Sequence, residues 1–532
     1  MTSNDNDDAS ADSSSDLYDP VDLNSETLDY MKSNDEDCNA FTIIFNADAN
    51  PNFSFDPLSI DWEEERFAFS KSRHVKLLEI RDLQQGSDEH YLYCKNNQEE
   101  RIRNAKAFYR AVAANRSCKY LSIEGNITYG LEMKDTIAIL RPFIQNNNKL
   151  RSLELSHFTL DVRTTQILAS ALSQCAGPVR SFRLKRIENL TGRAMEKIIN
   201  ALKEKSCIEH LILDENDIND EAAAVLGDAL ATLSLKSLSL QGDYEMEHGS
   251  ISPAGMEAIS QGLSQNSSLE ILDFHRVPIG VEGGLFLAEA VSNNSSLVLK
   301  ELDITRAVHS GGFAPSLVGW ELFFDLLSNS SLHKLRLGGN NIPDDAIPSM
   351  VECLNSMSSL TELSLWNCSE VTDSGWANFF RLLKNNTILR ECKMSMNEEI
   401  HRAGAIEAIW STLCDRTSVD SIFSSNHTLC AIESVLSFAI QSFDSTIQSL
   451  LNMNKNDDKV EVARKKIIKY YFLEDNNLHE LGIMDMGLLP RVLEHVDKYE
   501  PARLYEIVRF IPSLVHPVEK TNDARRKRKR MA

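Results

Sequence analysis

Along most of the chain a short apolar pattern returns: an apolar residue, two variable ones, a second apolar residue, one variable, then a third. It reads Leu150/Leu153/Leu155, Ile208/Leu211/Leu213, Leu235/Leu238/Leu240, Leu269/Leu272/Phe274, Leu299/Leu302/Ile304, Leu332/Leu335/Leu337 and Leu360/Leu363/Leu365. Looser copies stand at Cys118/Leu121/Ile123, Val179/Phe182/Leu184, Leu389/Cys392/Met394 and Val419/Ile422/Ser424, and a worn one begins at Val75. From Cys118 onward, first positions of successive copies lie 27 to 34 residues apart. The alternation within each copy predicts a strand with one buried face. Between the strands lie stretches of helical period, among them 164–174, 220–232, 252–266 and 373–385. In 220–232, Ala222, Val225, Leu226 and Leu230 make one stripe, and Asn219 and Asp220 are capping candidates. A strand–helix unit of this size cannot bury its own apolar face. The units must therefore stack, with the strands in one parallel sheet and the helices in an outer layer.

The spacing N-x-x-L recurs from Asn115 (with Cys118 replacing Leu), Asn147, Asn266, Asn294, Asn329 and Asn386, each time between a helix end and the next strand. Asparagine tolerates the left-handed backbone that closes a helix, so these residues are expected to be helix stops in that conformation. The N-x-[ST] sequons they create, such as 329–331, are then by-products of turn chemistry.

The period, the strand motif and the helix resemble leucine-rich repeats of the ribonuclease-inhibitor type, over about residues 75–455. The fuller motif, with Asn or Cys at its ninth position, stands at Asn216, Asn340 and Cys368, while Phe158, Ile187 and Val277 hold that place elsewhere. The resemblance implies an α/β leucine-rich-repeat solenoid: a horseshoe with a parallel concave sheet and outer helices, closed by a C-terminal helical cap. It also implies a non-enzymatic scaffold that binds a protein partner on the concave face. The same repeat class includes Ran GTPase-activating proteins, which implies an alternative, a regulator of a small GTPase. In those proteins an acidic tail follows the repeats, whereas here the acidic stretch precedes them.

Charge divides the ends from the body. Residues 1–40 hold twelve acidic residues against Lys32, and 525–530 are all basic. With −11 at one end and +6 at the other, the remainder of the −23 chain carries −18. A body this acidic does not suit a protein that coats nucleic acid. The expected organisation is an acidic disordered segment at 1–40, an N-terminal cap with a degenerate first repeat at 41–117, and repeats at 118–429. A helical cap at 430–517 and a basic disordered tail at 518–532 complete it. Arg525, Arg526, Lys527, Arg528, Lys529 and Arg530 form a candidate signal for a nuclear import receptor, and the tail is the one segment suited to nucleic acid.

No signal-peptide pattern and no apolar run of membrane-spanning length occur, which predicts an intracellular protein, nuclear or cytoplasmic, with no membrane partner. The ten cysteines include no C-x-x-C pair and read as reduced core residues. No nucleotide-binding, zinc-hydrolase or nucleophile-elbow motif is present, so neither a catalytic residue nor a cofactor or metal is expected. The concave positions are more informative. Third, fifth and seventh residues of each strand face away from the core, and there Glu301, Lys334, Glu362, Glu154, Arg183, Lys185 and Asp214 alternate in sign between neighbours. Candidate contacts for a partner are Trp366, Arg336, Asp273, Asp303 and His275 on the strands. Tyr244 and Phe313 join them from two long strand-to-helix loops, 241–251 and 305–315.

Overall fold

The protein is described from a computed structural model, which covers residues 21–22, 40–45, 72–73, 75–82, 98–124, 131, 133–205, 207–242, 251–308, 317–394, 403–434 and 445–474, with the single positions 66, 70 and 493. Two compact units divide at Asn341 and Ile342. The first holds eleven parallel strands among the described residues, each hydrogen-bonded to the next in chain order. They are β1 (Val21–Asp22), β2 (Ala40–Phe45), β3 (Leu77–Asp82), β4 (Tyr120–Glu124), β5 (Ser152–Ser156), β6 (Ser181–Lys185), β7 (His210–Ile212), β8 (Ser237–Ser239), β9 (Ile271–Asp273), β10 (Glu301–Asp303) and β11 (Lys334–Arg336).

The register is the one the spacing predicts. Leu78, Leu121, Leu153, Phe182, Leu211, Leu238, Leu272, Leu302 and Leu335 pair as one row across the strands. All nine are at most 1% exposed, so the fourth position is the centre of the core. Burial of such a side chain contributes roughly 1.5–3 kcal/mol, and the row repeats it at every turn of the solenoid. The worn copy at Val75 is a true strand, and so is the FTIIF segment ahead of it, where Phe41 pairs with Leu78. Within 1–40, Val21–Asp22 pairs in parallel with Phe41–Thr42.

The helices follow from their ends inward. Asp161, Thr191, Asn219 and Ser252 each accept a hydrogen bond from the backbone N–H three residues on, as N-caps should. Helix Asp220–Thr232 turns Ala222, Ala223, Leu226, Ala229 and Leu230 inward, and Val225 is only half-buried.

The second unit contains β12 (Glu362–Leu365), β13 (Glu391–Met394) and β14 (Ala431–Ser434), with Leu363, Cys392 and Ile432 as the paired central row. The expected copy at Val419/Ile422/Ser424 is not a strand. Val419–Phe423 is a short helix capped by Ser418, and the motif falls instead on Leu429, Ile432 and Ser434. Two apolar residues three apart suit either element, and only pairing with Glu391–Met394 decides between them. Helices Ser445–Asn454 and Lys459–Lys466 follow, then a π-helical stretch Ile467–Glu474.

The asparagine joints work differently from the expectation. None of Asn115, Asn147, Asn266, Asn294 or Asn386 has positive φ. Instead the side chains bridge. Asn266 Oδ1 accepts from the N–H of Ser268 (2.8 Å) and Leu269 (2.7 Å), while its Nδ2 donates to Leu230 O (2.7 Å) of the preceding repeat. Asn115, Asn386 and Asn426 repeat the scheme, and Asn147 and Asn294 use a shorter form of it. Asn329 stands apart: it is exposed, and Ser330 takes the buried place three residues past the helix end. At the ninth position, Asn216 and Asn340 form a second kind of bridge; Asn340 Nδ2 donates to Ile304 O (2.7 Å) and Oδ1 accepts from Val308 N–H (3.0 Å).

The described cysteines form no disulfide with one another, and burial pushes the thiols of Cys118 and Cys392 up to about 12, as fits core residues. Among the described residues no helix is long and apolar enough to cross a membrane.

Candidate functional site on the strand face

On most of the described strands the third, fifth and seventh positions of the repeat are half-exposed and the fourth and sixth buried, so one sheet face carries the side chains open to a partner, although Ser156 and Asp303 on that face are buried. The eighth residue of each repeat adds to that face. In the first unit His157, Arg186, Glu215, Arg276, Arg306 and Gly339 all have φ between 50° and 68°. Left-handed backbone is uncommon outside glycine, and here it recurs beside one kind of hydrogen bond. The eighth N–H donates to the seventh residue's carbonyl on the next strand, as from Arg276 to Thr305 O and from Arg306 to Gly338 O, both 2.7 Å. The left-handed turn leads the chain off the sheet just after that bond. This column was missed in the sequence; its signal was Gly339 and Asn367 at matching places.

Charges pair along the columns. Arg183 meets Glu154 at 3.5 Å, and Lys185 meets Glu215 at 3.2 Å, with Arg186 on the same carboxylate. Lys185 was expected to face Asp214; the eighth-position Glu215 takes its ammonium instead. Further along, Lys334 reaches Glu301 at 3.1 Å, and Arg336 lies 3.7 Å from Glu301 and 3.9 Å from Asp303. Such half-exposed pairs contribute about 0–1 kcal/mol each, so they shape the surface more than they hold the fold.

Three aspartates, Asp214, Asp273 and Asp303, are held in place on this face. Asp214 Oδ1 accepts from Ser239 Oγ (2.5 Å) and Gln241 N–H (3.1 Å). Asp273 and Asp303 each accept from the backbone N–H two residues on, at His275 (2.7 Å) and Thr305 (2.9 Å). Burial, then the neighbouring Asp303, pushes the Asp273 carboxyl up to about 7. Burial also raises Asp214. His275 lies 3.9 Å from Asp303, yet burial holds its imidazole below the ordinary range, with Arg276, Arg306 and Arg336 acting in the same direction.

Of the candidate contacts, Asp273, His275, Asp303 and Arg336 thus come together on β9, β10 and β11, although Asp303 is only 8% exposed. Trp366 belongs to the second unit, at the seventh position after β12, with its residue 38% exposed and left-handed Asn367 beside it. Tyr244, Phe313, the tail Arg525, Arg526, Lys527, Arg528, Lys529 and Arg530, and most of the 430–517 segment lie outside the described residues.

No protein-family profile matches the chain. Among curated proteins, human NACHT, LRR and PYD domains-containing protein 14 is 27% identical over 48% of this chain and 22% of its own length. Pig ribonuclease inhibitor is 24% identical over 48% of this chain and 54% of its own. The CARMIL protein of Dictyostelium discoideum is 24% identical over 50% of this chain and 22% of its own. The chain therefore spans from about a fifth to just over half the length of these relatives. The solved Rad7–Elc1 complex of yeast superposes with a TM-score of 0.33 at 15% identity, over 56% of this chain and 75% of that one. A superposition this loose carries no functional information. The repeat register, the parallel strands with their outer helices and these relatives together show an α/β leucine-rich-repeat solenoid, similar to that of the ribonuclease inhibitors.

Proposed function

We propose that the protein is a non-enzymatic interaction scaffold that holds a partner protein on the strand face of its repeats. What supports the reading above all is the group on β9–β11 and the turn after β9: Asp273, His275, Asp303 and Arg336 gathered on a rigid sheet, with His275 and Arg336 both 3.9 Å from Asp303. Side chains fixed on strands lose little freedom on binding, which favours affinity. Arg336, 3.7 Å from Glu301 and 3.9 Å from Asp303 and half-exposed, is suited to a carboxylate on the partner. Trp366 is a second anchor, since an exposed tryptophan on a rigid element is a common source of binding energy. The ribonuclease inhibitor among the relatives is named for binding a protein, which agrees with a scaffold role.

The test is affinity capture from cells with the full chain, compared with Arg336→Glu and Trp366→Ala. Loss of the same partner from either variant, with unchanged thermal unfolding, supports the reading. An unchanged partner set in both variants refutes it.

A further inference from the structure

In the second unit the series of buried asparagine joints ends on an incomplete one. Asn454, at the end of helix Ser445–Asn454, donates from Nδ2 to Leu429 O (2.7 Å) and Asn426 O (3.3 Å). Asn426 does the same to Leu383 O and Asn386 O, both at 2.9 Å. The Oδ1 of Asn426 then accepts from the N–H groups of Thr428 and Leu429, which lead into β14. After Asn454 comes helix Lys459–Lys466 instead of a strand, and its buried Oδ1 meets no hydrogen-bond partner among the described residues. A strand-type joint followed by a helix thus leaves a buried acceptor, which costs stability.

Lys466 reaches the same joint from the second helix. It is 0% exposed, and its Nζ donates to Leu413 O (2.6 Å) and Asn426 O (3.0 Å). Two carbonyls match the two N–H groups of a neutral amine. An ammonium brings a third N–H and a full charge into the core, which two carbonyls offset only in part. Burial lowers the Lys466 amine to about 7; Lys459 acts in the same direction, and Cys414 against it. His427 is a second buried base here. Burial, then Lys466, lowers its imidazole to about 4, and its Nδ1 meets no partner among the described residues. On the stretch that follows, Lys469 donates to Ser449 Oγ (3.2 Å) and Glu474 accepts from Arg416 (3.2 Å). Lys459 Nζ donates to Asn454 O and Asn456 O, both at 2.8 Å, and so ties the second helix to the end of the first.

We propose that helices Ser445–Asn454 and Lys459–Lys466 form a cap that opens as a unit, ahead of the repeats, when Lys466 takes up a proton. Once opened, the side chain regains the ordinary lysine value of about 10.4. Opening therefore takes up a proton between about pH 7 and pH 10, and a falling pH favours the open state across that window. Below about pH 7 the closed cap is protonated too and the effect levels off. Asp273, in the first unit, is shifted the other way, so the readout has to be local.

The experiment is hydrogen exchange of the full chain, read by mass spectrometry at about pH 9, 8, 7 and 6 and corrected for the intrinsic pH dependence of amide exchange. Peptides from 445–466 are compared with peptides from helix Asp373–Leu382 and β13 in the same unit. Protection of 445–466 should fall about tenfold to a hundredfold from pH 9 to pH 6, mostly above pH 7. The reference peptides should change by no more than about threefold. Lys466→Met keeps the length of the side chain without its charge, and Lys466→Gln keeps two N–H groups for the carbonyls. Both variants should lose the pH dependence of the cap, while the slope in the parent reads the proton uptake directly. Constant protection of 445–466 in the parent, an equal fall in both variants, or a parallel fall in the reference peptides overturns the proposal. None of these outcomes bears on the strand-face scaffold, whose partner is captured separately.

Discussion

At the scale of single residues, two side-chain types set the behaviour of the strand face and of the joints. Asp273 is the first. Its folded pKa, pushed up to about 7, lies above the ordinary carboxylate value. The folded state therefore holds the proton more tightly than the unfolded one. Stability from this group is full below about pH 4 and is lost as pH rises to about 7, at no more than about 1.4 kcal/mol per pH unit. Asp273→Asn should flatten the decline. In urea unfolding between about pH 5 and pH 8, the parent should lose roughly 2–3 kcal/mol more than the variant; parallel curves would show that this carboxyl is not the one desolvated. Asparagine is the second type. Asn266→Ala removes three hydrogen bonds, two of them buried, and should cost about 1–3 kcal/mol. Asn329→Ala, at the same sequence spacing but exposed, should stay within about 0.5 kcal/mol. Chemical unfolding of the two variants side by side checks the contrast. Nothing in the N-x-x-L spacing tells these residues apart, because only the length of each helix decides which residue reaches the buried place.

At the scale of elements, the close approach of neighbouring helices rests on glycine at a few places. Gly262 in helix Pro253–Leu263 sits against the backbone of Gly227 in helix Asp220–Thr232, and Gly227 against that of Ala258. A methyl group at Gly262 would meet the Gly227 carbonyl, which has no room to shift. Gly262→Ala should therefore destabilise by about 1–3 kcal/mol, an overpacking cost that exceeds the gain in helix propensity. Gly284→Ala is the control: its Cβ would touch Val308 at an ordinary 3.4 Å. Helix preference of about 1 kcal/mol should then leave it neutral or slightly stabilised. Thermal unfolding of both distinguishes the packed contact from a general effect of glycine. The strands themselves were legible from β3 onward, because the row from Leu78 to Leu335 is buried at every step. The segment at Val419 was misread because short apolar spacing fits a helix equally well, and Ser418 caps one there.

At the scale of the molecule, the scaffold reading predicts where substitutions should separate binding from folding. Arg336 and Trp366 are exposed enough to change without disturbing the core. Once a partner is in hand, Trp366→Ala should weaken binding by about 1–2 kcal/mol or more if it is an anchor. Arg336→Glu, which places a third acid beside Glu301 and Asp303, should weaken it further and make the remaining affinity rise as pH falls. Surface plasmon resonance at two pH values measures both. A Trp366→Ala variant that binds as the parent does would confine the interaction to β9–β11.

What the sequence by itself determined is whatever repeats. A period of about 30 residues carrying three apolar positions admits one arrangement, stacked strand–helix units, because no single unit can bury its own face. Fold class, strand register and the orientation of Arg183, Asp273, Asp303 and Arg336 followed from that. Tertiary structure alone decided what depends on the distance to the next repeat. It set the left-handed eighth column, where N–H groups such as those of Arg276 and Arg306 meet a carbonyl on the neighbouring strand. It chose between Asn329 and Ser330 for the buried joint. It gave Glu215 rather than Asp214 to Lys185, and it set Lys466 against the carbonyls of Leu413 and Asn426, which no spacing along the chain relates.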